Sequence, residues 1–247
     1  MNKRIITATF LMAMSSLAGF AQRQFDNLDR GLIAVKSNGG MYCSWRINAD
    51  EYYATTYDLY RDGVKVNDQP LTVSNFTDPN GTLESQYTVK AVHAGQASAD
   101  SKKGLSLANG WLEVKKPKRI SNDGKTDISN QYEPNDATIG DVDGDGEMEL
   151  ITKQLFIGQD PNNTSQADFA RIEVQKLDGT LLWWIDCGPN MWDFQQNEIN
   201  IMAYDWDGDG KAECVARLQD GSVIHMADGT TYTVGDATKD YRGGVYN

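Results

Sequence analysis

Two stretches of the chain share one spacing of oxygen-bearing side chains: Asp141-x-Asp143-x-Asp145-Gly146-x-x-Glu149 and Asp205-x-Asp207-x-Asp209-Gly210-x-x-Glu213. In a tight loop, alternate residues point to one centre, so three carboxylates converge in each stretch. Gly146 and Gly210 permit the sharp backbone reversal that such a loop needs. The main-chain carbonyls of Glu147 and Lys211 can each supply a further oxygen, and Glu149 and Glu213 close the two shells. Hard carboxylate and carbonyl oxygens suit Ca²⁺ and fit Mg²⁺ or zinc less well. The ligand sets expected are therefore Asp141, Asp143, Asp145, Glu147 and Glu149, and Asp205, Asp207, Asp209, Lys211 and Glu213. Read instead as acidic turns closed by Asx hydrogen bonds, the same stretches would hold no ion.

An EF-hand places its bidentate glutamate at position 12 between two helices. Here the glutamate comes at the ninth position and strand-like residues flank the loops, which excludes that motif. Ions in such loops serve more often as structural staples than in catalysis. Other residues could meet a substrate. Trp206, inside the second loop, could stack on a sugar ring, and Lys153, just after the first loop, could face a cleft or sit as a surface lysine. Trp183 and Trp184 read as core, and His93 and His225 as structural.

The elements that must position these loops read as short strands. Leu32 to Val35 alternate, Met41–Ile47 forms a second run, and Tyr87–Val92 alternates again. Tyr57–Val66 reads as strand, Asp62-Gly63 turn and strand, the strongest short-range hairpin signal. Strands in this spacing argue for a small β-sandwich up to about residue 115. Lys115, Lys116 and Lys118 around Pro117 mark a boundary on a solvated surface, and 121–135 reads as a loop. Beyond it the segment 137–150 recurs at 200–214, an offset of 64 residues, with a strand–turn–strand unit at 170–183 between and an echo of it at 218–225. Repeated short strands with Asp-Gly hairpins are the pattern of β-propeller blades.

With 35 acidic and 23 basic residues the formal charge is −12, which argues against nucleic-acid or anionic-membrane partners. Three Asp and one Glu per loop account for −8 of the acidic charge, so part of the excess reads as metal demand. Residues 1–21 read as a signal peptide: basic Lys3 and Arg4, an apolar run from Ile5 to Leu17, and small residues at Gly19 and Ala21, with cleavage after Ala21. The expected location is thus secreted or periplasmic, with no membrane attachment after cleavage, and the protein is expected to be a monomer. Cys43, Cys187 and Cys214 are too few for a disulfide framework; free thiols are the default, with a Cys187–Cys214 bridge as the alternative.

Several segments, in order, resemble a known family. Asp29–Lys36, Ser44–Arg46, Leu59–Gly63, Asn135–Gly146 and Lys176–Thr180 together are similar to the family 11 polysaccharide lyases, the rhamnogalacturonan lyases. The resemblance implies an all-β chain: an N-terminal Ig- or fibronectin-III-like sandwich (22–115) followed by the first blades of a calcium-binding β-propeller (116–247), incomplete here because the family is longer. It implies β-elimination in the rhamnogalacturonan I backbone of pectin by the whole protein, with further calcium sites there. This chain alone is expected to be inactive, its catalytic base lying in blades that it lacks. One segment departs from the family pattern: Gly188–Glu198 stands where a basic, His-containing stretch is usual. The alternative function is a non-catalytic calcium-dependent propeller module for glycan binding or adhesion.

Overall fold

The computed structural model of the chain describes residues 28–49, 51, 54–160, 162–191 and 199–243. The expected signal peptide at 1–21 and residues 192–198 of the divergent segment lie outside them. The described residues are all-β apart from one 3-10 turn at Ser129–Gln131, and no helix among them is long and apolar enough to cross a membrane.

The N-terminal part holds eight strands: β1 (Ile33–Ser37), β2 (Gly40–Ser44), β3 (Thr55–Arg61), β4 (Val64–Lys65), β5 (Asn75–Asp78), β6 (Tyr87–His93), β7 (Gln96–Ala97) and β8 (Leu105–Leu107). They form two four-stranded sheets, ordered β5-β2-β1-β8 and β4-β3-β6-β7. Every second residue faces inward, so Ala34, Met41 and Cys43 of one sheet share a core with Tyr57, Leu59, Tyr87, Val89 and Ala91 of the other. The β3–β4 turn follows the sequence signal: Asp62 and Gly63 both have positive φ (52° and 80°), as a two-residue type I′ turn requires.

The second part holds β9 (Tyr132–Gly140), β10 (Glu149–Phe156), β11 (Arg171–Gln175), β12 (Leu181–Asp186), β13 (Ile201–Tyr204), β14 (Glu213–Ala216), β15 (Val223–Met226) and β16 (Thr231–Thr233). Six of these make one antiparallel sheet, ordered β16-β15-β12-β11-β10-β9, while among the described residues β13 and β14 pair only with each other. What repeats at 64 residues is therefore an acidic loop between two paired strands, β9–β10 and β13–β14, and not a whole sheet. The expected loop at 121–135 is shorter than the sequence suggests, because β9 already starts at Tyr132.

One face of the large sheet is apolar: Ile151, Ile172, Val174 and Ile185 join Ile199 and Ile201 in a single buried cluster. Ile172 is fully buried at its centre, so Ile172→Val should cost about 0.5–1.5 kcal/mol, read as a lower denaturation midpoint with an unchanged slope. The opposite face is polar yet also buried. Arg171, Glu173 and Gln175 alternate along β11 and are at most 4% exposed. They lie under the segment 115–131, which folds back through Ile128 N–H to Arg119 O and Ser121 N–H to Thr126 O. Arg119 donates two hydrogen bonds of 2.6 Å to Glu173, Arg171 donates to Ile120 O, Gln175 to Lys115 O, and Asn122 to Asp186. Lys115, Lys116 and Lys118 remain exposed along that strap.

The three cysteines are free, so the alternative Cys187–Cys214 bridge is not formed. Burial pushes the Cys43 thiol up to about 12 and Cys214 to about 11, which leaves both as inert packing groups.

Candidate metal centre

The two acidic loops fold the same way, hydrogen bond for hydrogen bond. Asp141 Oδ1 accepts from the N–H groups of Gly144 and Asp145, and its Oδ2 accepts from Gly146. Asp205 does the same for Gly208, Asp209 and Gly210. Asp143 and Asp207 accept from the N–H two residues on, as do Asp145 and Asp209. The closing glutamates reach back across each loop, Glu149 Oε2 to Val142 N–H and Glu213 Oε2 to Trp206 N–H. The backbone turns on Gly146 and Gly210 at φ of 87° and 89°, a region that costs a residue with a side chain.

This wiring aims oxygens inward. Asp205, Asp207, Asp209 and Glu213 bring one carboxylate oxygen each to within 4.8 Å of one another, and so do Asp141, Asp143 and Glu149. Glu149 is 1% exposed, and burial pushes its carboxyl above the usual range, helped by repulsion from Asp143 and Asp145. Such a crowd of carboxylates favours a cation. The donor set, all oxygen and mostly anionic, fits Ca²⁺.

The first loop differs in one respect. Asp145 is missing from its converging group and pairs with two lysines. Lys176, at the end of β11, lies 2.6 Å from Asp143 and 2.8 Å from Asp145, and Lys102 of the N-terminal part reaches Asp145 and Glu147 at 3.4 Å each. Hydrogen bonding to Lys176 holds the Asp145 carboxyl down at about 2, and hydrogen bonds to Asp143 and Asp145 raise the Lys176 ammonium. The N-terminal part also meets this loop through Asp29 N–H to Gly146 O.

The loops touch each other. Ala212 N–H donates to Asp141 O at 2.6 Å. A Cβ on Gly140 would stand 2.8 Å from the Ala212 methyl and 3.1 Å from the Ala203 methyl, so glycine is what allows β9 to approach the β13–β14 hairpin so closely. A cavity of about 100 Å³ lies between the loops, lined in part by Asp141, Asp205 and Lys211.

The substrate-facing candidates divide. Trp206 is 59% exposed and meets Tyr204 edge-on at 5.2 Å, with Tyr204 itself 49% exposed. Lys153 is 1% exposed, opposite Ile172 at the point where β9 and β10 slip register, so its place is interior rather than on a cleft or the surface. Trp184 is half-buried in a stack: Arg171 lies over one ring at 4.1 Å, and His225 is parallel to it at 3.8 Å. Burial, with Arg171 nearby, lowers the pKa of His225. His93 is exposed and bonds Thr55. Sequence reasoning missed Arg119–Glu173 and Lys176. Arg119 sits beside an ordinary lysine-rich surface run, and Lys176 lies 31 residues from the Asp145 that it meets.

Comparison with known proteins accords with this geometry. Residues 23–106 match the model of the rhamnogalacturonan I lyases' β-sheet domain, and 111–245 match the C-terminal domain of rhamnogalacturonan lyase family 11. The rhamnogalacturonan endolyase YesW of Bacillus subtilis is 38% identical over 255 aligned positions, covering 98% of this chain and 40% of that protein. The exolyase YesX of the same organism is 39% identical, over 90% of this chain and 36% of its own length. The crystal structure of YesW superposes with a TM-score of 0.72 over 91% of this chain, and the solved structure of a Bacillus licheniformis rhamnogalacturonan lyase with 0.69 over 91%. The chain thus spans about two fifths of the length of these relatives.

Proposed function

The chain belongs to the family 11 rhamnogalacturonan lyases, and from that membership we propose that the whole protein cleaves the rhamnogalacturonan I backbone of pectin by β-elimination, with this part as its calcium-stabilised scaffold. The observation that carries the reading is the ordered match of both family segments along nearly the whole chain. In this reading the N-terminal sandwich is Ig- or fibronectin-III-like and the large sheet and hairpin belong to a β-propeller. The protein is exported and monomeric, and two Ca²⁺ ions fill the acidic loops. Asp141, Asp143 and Glu149 would hold one ion and Asp205, Asp207, Asp209 and Glu213 the other, with the carbonyls of Glu147 and Lys211 completing the shells. Bound there, the ions neutralise carboxylates that otherwise repel one another and clamp the two touching loops.

β-Elimination needs a group that neutralises the uronate carboxylate, a base for the C5 proton and a proton donor for the leaving oxygen. Lys153 and Arg171 are buried, and His225 is stacked against Trp184. The exposed Tyr204–Trp206 pair supports the second reading, a module that binds glycan without cleaving it.

The two readings part in one assay. Incubated with rhamnogalacturonan I and calcium, the full-length protein should raise ultraviolet absorbance as the unsaturated uronate forms, and the 247-residue chain alone should not. Polysaccharide binding by the full-length protein with no rise would replace the lyase with the binding module.

A further inference from the structure

We propose that Lys176 makes the two acidic loops unequal metal sites: it acts as a built-in counter-cation that calcium must displace from the first loop, while the second loop takes the ion freely and fills first. This inference rests on the calcium reading of the loops.

The two loops match in backbone and in hydrogen bonding, so their difference comes from what surrounds them. Lys176 Nζ stands 2.6 Å from Asp143 Oδ2 and 2.8 Å from Asp145 Oδ2. Asp143 and Asp145 are two of the carboxylates that the spacing of the loop would offer to a calcium ion. Lys102 adds a second ammonium, 2.7 Å from the carbonyl of Asp145. Among the described residues no lysine or arginine pairs with Asp205, Asp207, Asp209 or Glu213. The two loops also differ in that Asp209 belongs to its converging group and Asp145 does not.

The position of Lys176 is fixed by its surroundings. It follows the last residue of β11 and closes the turn into β12, with its N–H donating to Thr180 O and its own carbonyl accepting from Gly179 N–H. A tethered ammonium loses little freedom on reaching the loop, so it competes at high effective concentration. Loading the first loop is then an exchange of one cation for another, whereas loading the second is a simple addition. Burial of Asp141 and Glu149 strengthens the pull on any cation, the lysine as well as the metal, and so does not remove the difference. When calcium is scarce the lysine keeps the first loop neutralised, and with it the contact to Asp29 and Lys102 of the N-terminal part.

The test is calorimetric titration of Ca²⁺ into the chelator-stripped full chain and three variants. Asp207→Ala isolates the first loop, Asp143→Ala isolates the second, and Asp207→Ala/Lys176→Met frees the first loop of its lysine. The second loop alone should bind more tightly than the first alone. Lys176→Met should tighten the first by roughly 3- to 10-fold, the range expected for removing a partly exposed ion-paired competitor. Terbium luminescence excited through Trp206 in the second loop gives an independent reading of the order of filling. Equal or tighter binding by the first loop would overturn the proposal even if the Lys176 variant failed to fold, and so would an unchanged first-loop affinity in a folded Lys176 variant. No binding by any form would instead remove the calcium reading itself.

Discussion

On the calcium reading, EDTA should lower the melting temperature of the chain, by roughly 5–10 °C for each site held about 100-fold above its dissociation constant. The reason is local. Each loop brings several carboxylates within 4.8 Å of one another, and Glu149 is buried with no lysine on its own oxygens among the described ion pairs. Bound calcium offsets that repulsion in the folded state alone, because the unfolded chain spreads the same carboxylates apart. Asp143→Ala should abolish one site and leave the other, so that EDTA then produces only part of the shift. A melting curve that ignores chelation would count against both loops at once.

Replacing Arg119 by alanine destabilises the fold by about 3–5 kcal/mol, the cost of leaving one half of a buried ion pair alone. Arg119 and Glu173 have side chains only 1% and 2% exposed, and their two-pronged contact is what fastens the strap to the polar face of the large sheet. Arg119 also covers the Tyr132 ring at 5.2 Å, so the substitution removes packing as well as charge. The paired change Arg119→Met/Glu173→Leu should recover most of the loss, since it removes both charges together. Chemical denaturation of the two variants checks this. A single variant within 0.5 kcal/mol of the parent would mean that the strap is not held by this contact.

The sequence was most legible where a local rule is sufficient. The β3–β4 hairpin follows from Asp62 and Gly63, which need no tertiary help to turn the chain. The loops follow from two-residue spacing, and their shared hydrogen bonds show how fully that spacing dictates the backbone. Family membership followed from short segments kept in order, and the matches at 23–106 and 111–245 establish it. What was not legible depends on partners far away in the chain. Arg171, Ile172, Glu173, Val174 and Gln175 alternate like a strand with one wet face, yet the strap buries that face. Lys153 read as facing a cleft or the surface, yet it lies buried where β10 pairs with β11. The 64-residue repeat suggested propeller blades; it did not show that, among the described residues, β12 pairs directly with β15 and β13–β14 form a separate hairpin.

The central claim is that two like acidic loops hold calcium and that this steadies the scaffold. Equilibrium dialysis against ⁴⁵Ca²⁺ tests it most directly. The account predicts two ions per chain, one after Asp143→Ala and none after Asp143→Ala with Asp207→Ala. Retention of both ions by the doubly substituted chain, or none by the parent, would contradict it.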